Sequence, residues 1–278
     1  KALKKAIVPP EGFRIINSDS SQIEARVLAW LAGQQDVVDQ FASGQDVYSL
    51  FASSVYERTI TKADAVERFV GKTCILGLGY GTGGAKLRHT LATAQPVSVK
   101  LEETECKRIV DVYRDKNDKI TDLWKEADDM LSAMLDRKIK QPVQFGAVEG
   151  VVAYDHEGLI LPNGLRIRYP NLRIETRDGK TQKVYDSRKG SVSIWGGSVV
   201  ENVVQALARI IVGTQMVEIS EHYPVVLTVH DAAVIISPDD EVEEAVAVVS
   251  KIMSTPPDWA VGLPVACETK VGASYGDC

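Results

Sequence analysis

Cysteine and histidine are scarce. The four cysteines (Cys74, Cys106, Cys267 and Cys278) form no CxxC pair, and the four histidines show no metal-ligand spacing. This excludes a zinc ribbon and a disulfide-stapled scaffold, and leaves reduced thiols in a cytoplasmic protein as the expectation. No apolar run reads as long enough to span a bilayer, and the first residues lack the basic, apolar and small segments of a secretory leader. No membrane partner is expected. Positive charge is not in excess either: the net charge is −6 and the pI near 5.4, so the bulk charge offers phosphate no attraction. A basic cleft can still sit on an acidic protein, so composition leaves the partner open. There is no internal repeat and no low-complexity segment.

What is present is an ordinary globular composition, 45% hydrophobic and 25% charged. Residues 13–18 read as a strand running into Asp19. Ile23, Val27, Leu28 and Leu31 then set a helix over about 22–31. Helices are expected over roughly 36–43, 46–56, 62–78 and 83–93, with breaks at Gly33, Gly44 and the Gly-rich 77–84. One or two more cover 101–137, broken near Lys116–Asn117. From 142 to 195 the pairs Glu157-Gly158, Asn163-Gly164, Asp178-Gly179 and Lys189-Gly190 predict β-hairpins. A helix over 198–222 follows. VVLTV and AVIIS then form a hairpin turning at His230-Asp231, before a helix over 240–253 and a strand over 265–271. The layout is α+β, with a helical middle between two strand-bearing pieces.

Three short patterns bear on chemistry, and each has a commonplace explanation. Asp19, in NSDSSQIEAR, stands where an aspartate often caps a helix. Arg68, Lys72, Leu76 and Tyr80 recur every four residues, as a solvated helix face does, although cations one turn apart also suit a triphosphate. Asp231 lies at a tight turn between apolar strands, where aspartate is common. Two further patterns are decoys. Gly71-Lys72-Thr73 looks like the tail of a P-loop, but Val66 stands where that motif needs glycine. Gly79-x-Gly81-x-x-Gly84 follows a helix rather than a strand, so it reads as a helix-ending, flexible stretch and not a dinucleotide site.

In order and spacing, the three patterns together resemble the signature motifs of family A (DNA polymerase I-like) DNA polymerases. DSSQIEAR matches D-Y-S-Q-I-E-x-R except at Ser20. Arg68, Lys72, Tyr80 and Gly81 match R-x3-K-x3-(aromatic)-x3-Y-G, with Leu76 at the aromatic position. His230 and Asp231 match H-D-E, with Ala232 replacing Glu. SSQIEARVLAWLAGQ, DVYSLFASSVY, GKTCILGLGYG, GGSVVENVVQALAR and PPDWAVGLP resemble the bacteriophage branch, so the likeness covers nearly the whole chain and the cytoplasm would be that of a host.

The resemblance implies a right-hand palm of antiparallel sheet and helices with an inserted, mainly helical fingers subdomain. Palm would cover 1–30, fingers 31–195 and palm again 196–278. The thumb would be absent, lying upstream with more palm or supplied in trans. The implied activity is DNA-templated transfer of deoxynucleotides from dNTP to a primer 3′-OH, with two Mg²⁺ ions as cofactors and primer-template DNA and dNTPs as partners. Asp19 and Asp231, both at strand ends the fold could bring together, would hold the metals with the Ser20 carbonyl. Arg68 and Lys72 would take the triphosphate, Lys72 protonating the departing pyrophosphate. Gln22, Tyr48 and Leu76 would line the nucleotide, Glu24 would exclude a ribose 2′-OH, and Tyr80 would sit beside the templating base. Gln205 and His230 would contact the primer-template. Glu201 stands where many relatives have Asn, which leaves the minor-groove contacts of that helix open. Two readings compete: a catalytically weak primer-template-binding fragment of such a polymerase, and an unrelated soluble NTPase.

Overall fold

The computed structural model describes residues 2–95, 97–136 and 139–278; Lys1 and residue 137, the outer limits of two expected segments, lie outside them. In chain order the first elements are α1 (Ala2–Lys5), β1 (Phe13–Ser20), α2 (Ile23–Ala32), α3 (Gln35–Ala42) and α4 (Val47–Tyr56). Next come α5 (Ala65–Leu78), α6 (Gly84–Thr93), α7 (Glu103–Lys116) and α8 (Asp118–Leu135). Seven short strands follow: β2 (Val143–Phe145), β3 (Val152–Asp155), β4 (Gly158–Ile160), β5 (Arg166–Ile167), β6 (Arg173–Arg177), β7 (Lys180–Ser187) and β8 (Gly190–Ile194). The chain closes with α9 (Gly196–Ser220), β9 (Val225–Val229), β10 (Ala232–Pro238), α10 (Val242–Met253) and β11 (Cys267–Gly272). Expected borders fell after residues 30 and 195; the chain divides into two compact units, Lys1–Val27 with Gln205–Cys278, and Leu28–Val204.

The first unit is built on an antiparallel sheet of order β11-β1-β10-β9. Successive side chains of a strand face opposite ways. Ile16 joins Ala233, Ile235 and the α10 residues Ala245, Val249, Ile252 and Met253 in one buried cluster. Ile15 turns the other way, with Val234 and Tyr275. By that alternation Ser18 and Ser20 share the α10 side and Asp19 stands on the other. Ser18 Oγ lies 2.9 Å from Thr269 Oγ1, which lies 2.8 Å from Ser250 Oγ, a polar seam tying β1, β11 and α10. The Gln215 side-chain amide donates to the carbonyls of Ile252, Met253 and Thr255, satisfying the last turn of α10.

The second unit has a helical core of Phe51, Val55, Val70, Cys74, Leu78, Leu87, Leu91, Cys106, Ile109, Val110 and Tyr113, drawn from α4 to α7. The crossing of α4 and α5 depends on Gly71, because a Cβ there would overlap the Tyr48 carbonyl oxygen and touch Ala52 Cβ at 3.0 Å. Alanine is the better helix former by about 1 kcal/mol, yet forcing the helices apart costs typically ~1–3 kcal/mol. Gly71→Ala is therefore expected to destabilise the protein, read as a lower urea midpoint at unchanged slope; a raised midpoint would show that α4 yields freely. The break between α7 and α8 is made by buried Asn117, whose amide donates to the Tyr113 carbonyl at 2.8 Å. Beyond α8 lie two small antiparallel sheets, β2-β3-β4-β5 and β6-β7-β8. Asp178 and Gly179 turn between β6 and β7 with φ of 50° and 73°, the geometry a two-residue hairpin requires.

Several expectations need correction. The commonplace explanation of Asp19 as a helix cap falls, since Asp19 lies near the end of β1, the strand end expected of it, and α2 begins four residues later. Tyr80 is not on the helix with Arg68, Lys72 and Leu76, because α5 ends at Leu78. At Glu157-Gly158 and Lys189-Gly190 the turn comes one residue earlier, and the glycine opens the next strand. The stretch after α5 is packed and not open: the Trp124 indole donates to the Gly79 carbonyl at 2.8 Å, and the Trp195 ring fills the space a Cβ on Gly81 would occupy. Finally, α9 is long and apolar enough to cross a bilayer by length and composition. Glu201, Gln205 and Arg209 interrupt its apolar run, and its buried stripe of Val199, Val203, Leu207 and Ile211 is that of a core helix.

Candidate active site

The first unit brings Asp19 and Asp231 together. Asp19 is the penultimate residue of β1, and Asp231 is the second residue of the two-residue turn joining β9 to β10. Asp19 pairs with Ala232, and the Ser20 amide donates to the Asp231 carbonyl at 3.2 Å. This register sets the two carboxyls near enough to share a hydrogen bond. On the other flank β11 puts Glu268 directly opposite Asp19 and Lys270 opposite Asn17; Glu268 and Lys270 pair at 3.1 Å. Burial, the Asp231 charge and hydrogen bond, and the Glu268 charge all push the Asp19 pKa up, while Lys270 draws it down. Two carboxylates held so close repel when both are ionised. A cation relieves that repulsion, and an all-oxygen donor set suits magnesium, so the residues fit the group. Among the described residues no group of three or more His, Cys, Asp or Glu side chains is placed to hold a metal ion, so a cation bound here would rely on this pair and on carbonyl or other oxygens.

The backbone beside the pair is strained. Gln22 and His230 have φ of 49° and 55°, the left-handed region that costs a non-glycine residue on the order of 1 kcal/mol and recurs at functional sites. The buried Arg26 guanidinium fixes the turn after β1, donating to the Ser21 carbonyl at 2.7 Å, the Pro264 carbonyl at 3.0 Å and Gln22 Oε1 at 3.3 Å. Gln22 is thus tied to Arg26 in this structure. Glu24 is half-buried in the first turn of α2, and Gln205 and His230 are exposed.

In the second unit, α5 carries Arg68, Lys72 and Leu76 at successive turns, Lys72 and Leu76 exposed. Arg68 is engaged: Nε and Nη2 donate to Asp46 Oδ2 and Oδ1 at 2.6 and 3.2 Å, and the guanidinium lies 5.4 Å from the Tyr48 ring centroid. Tyr48 is 5% exposed, its ring packed against the Arg68 guanidinium. Tyr80 is half-buried two residues past α5, in the stretch held by Trp124 and Trp195. Asp46, Trp195 and Glu268 escaped the sequence reading. Asp46 stood two residues before Tyr48, a usable signal; Glu268 carried none without the strand register, and Trp195 none without the packing of its ring on Gly81.

The sequence profile of DNA polymerase family A matches residues 1–140, half of the chain. The chain belongs to this family. It is 31% identical to the DNA polymerase of Bacillus phage SP02 over 98% of its length and 43% of that protein's. It is 24% identical to DNA polymerase I of Chloroflexus aurantiacus, covering all of this chain and 26% of that one. The solved POL domain of Pol1 from M. smegmatis, in complex with DNA primer-template and dNTP, superposes with a TM-score of 0.67 at 20% identity, over 99% of this chain and 42% of that one. Membership accounts for the mixture of helices and antiparallel sheet. The family A chain spans less than half the length of these relatives.

Proposed function

We propose that this chain carries the nucleotidyl-transfer chemistry of a DNA-templated DNA polymerase, adding deoxynucleotides from dNTPs to a primer 3′-OH. The observation that carries the proposal is the side-by-side placement of Asp19, on β1, and Asp231, in the turn that leads into the paired strand β10. On this reading the first unit is palm and the second is fingers. Asp19, Asp231 and the Ser20 carbonyl would hold two magnesium ions, which supply charge neutralisation for phosphoryl transfer when bound. The primer oxygen attacks the α-phosphorus as the bond to the bridging oxygen breaks and pyrophosphate leaves, so positioning and charge do most of the work. Arg68 offers a planar fork to phosphate oxygens. Lys72, exposed one turn on, donates a proton to the departing pyrophosphate. Tyr80 stands by the templating base, and Gln205 and His230 by the primer-template.

Extension of a labelled primer with Mg²⁺ and each dNTP singly tests this. Incorporation dictated by the template supports polymerisation. Primer-template binding without extension supports the binding fragment, and ATP hydrolysis without DNA supports the NTPase.

Leu76 offers a finer test. It is 42% exposed, one turn beyond Lys72, and would face the sugar of a nucleotide held by that helix. Leu76→Tyr adds a hydroxyl able to replace the hydrogen bond a dideoxynucleotide lacks, worth about 1 kcal/mol, or roughly fivefold. Chain-termination ladders at fixed ddNTP:dNTP ratios are expected to shift by that much towards termination. An unchanged ladder would argue against placing this helix at the sugar.

A further inference from the structure

Arg68 and Asp46 form a two-point grip at the head of α4. Asp46 precedes the helix and receives Arg68 Nε at 2.6 Å and Nη2 at 3.2 Å, while Ser49 Oγ donates to Oδ2 at 2.8 Å. The pair is half-buried, with side-chain exposures of 30% for Arg68 and 20% for Asp46. The Tyr48 ring lies against the guanidinium at 5.4 Å. Burial disfavours the Asp46 charge, yet the hydrogen bonds from Arg68 and Ser49 hold its carboxyl below the usual range. A long, flexible arginine is thereby fixed at one edge by a carboxylate and backed by an aromatic ring. Of its five donors, Nε and one N–H of Nη2 are committed, and Nη1 lies outside the grip.

Resting on the reading of α5 as the triphosphate-binding helix, we propose that Asp46 is the positioning residue for Arg68, gripping one edge of the guanidinium and leaving Nη1 for phosphate oxygens. The opposite role is physically possible: the carboxylate could neutralise Arg68 and compete with the triphosphate. The two roles predict opposite signs. A positioning residue lowers the ordering cost of binding, so its loss weakens nucleotide binding; loss of a competitor strengthens it.

The experiment is steady-state primer extension with matched dNTP on wild type, Asp46→Asn, Asp46→Glu, Arg68→Ala and the double variant Asp46→Asn/Arg68→Ala, with thermal melting of each. Removing a charged hydrogen-bond partner is expected to raise KM for dNTP about tenfold in Asp46→Asn, with kcat changed much less. Asp46→Glu, which keeps the carboxylate, is expected to recover part of that loss. The double variant is expected to show no higher KM than Arg68→Ala alone, because the two residues act through one contact. A lowered or unchanged KM in Asp46→Asn, with Arg68→Ala raising it, overturns the inference and leaves the reading of α5 standing. Equal losses in KM and kcat that follow melting temperature also overturn it, as a purely structural effect. If Arg68→Ala itself leaves KM unchanged, the reading of α5 fails and the inference with it.

Discussion

Asp19→Asn and Asp231→Asn are each expected to cut templated extension by at least about a thousandfold, the loss of roughly 4 kcal/mol of transition-state stabilisation. Both side chains reach one spot because β1 pairs with β10 in a register that sets Asp19 opposite Ala232, with Asp231 one residue before it. The change to asparagine keeps shape and removes charge, so it tests the carboxylates as metal ligands and not as packing. A second readout separates chemistry from folding. In the metal-free protein Asp19 is pushed towards the protonated form by burial and by Asp231. Removing either charge relieves repulsion, and the melting temperature of each variant without metal is expected to equal or exceed that of the wild type. Magnesium should raise the wild-type melting temperature and leave the variants nearly unmoved, since a ligand stabilises only the state that binds it. If either variant retained more than a few per cent of wild-type extension, the pair would not be the metal site.

Much of the fold was legible because its signals were local. The turn at His230-Asp231 between two apolar runs formed as expected, with β9 ending at Val229 and β10 starting at Ala232. Asn117 broke the long helical stretch, and Asp178-Gly179 made its hairpin. What could not be read was set by register and packing. Glu268 sits in an unremarkable strand, ETKVG, and matters only because that strand lies beside β1 with Glu268 opposite Asp19. Arg68 and Lys72 look alike in sequence, one turn apart on the same face. Asp46, 22 residues earlier, pairs one of them and leaves the other exposed. The glycines after α5 suggested looseness because glycine is permissive. There they allow close approach instead, since the Trp195 ring occupies the space of the missing Cβ on Gly81.

Glu24→Ala is expected to lower the preference for deoxyribonucleotides over ribonucleotides by roughly 10- to 100-fold, the range that exclusion of one small group by a pocket wall commands. Glu24 is half-buried in the first turn of α2, on the segment that leaves β1 directly after Asp19 and Ser20. The turn between them is held by Arg26 through Ser21, Gln22 and Pro264, so the start of α2 is fixed relative to the carboxylate pair. A side chain fixed there can discriminate by occupying space, which penalises the wrong sugar instead of rewarding the right one. Two variants distinguish bulk from charge. Glu24→Gln keeps the volume and removes the charge, so a steric wall predicts discrimination close to wild type, while Glu24→Ala removes the volume and should admit the 2′-hydroxyl. The measurement is kcat/KM for matched rNTP and dNTP opposite each template base. Deoxynucleotide incorporation should change far less than ribonucleotide incorporation, since the deoxyribose does not need the space. An unchanged ratio in Glu24→Ala would remove Glu24 from this role, and a loss of discrimination in Glu24→Gln equal to that in Glu24→Ala would assign the selection to charge.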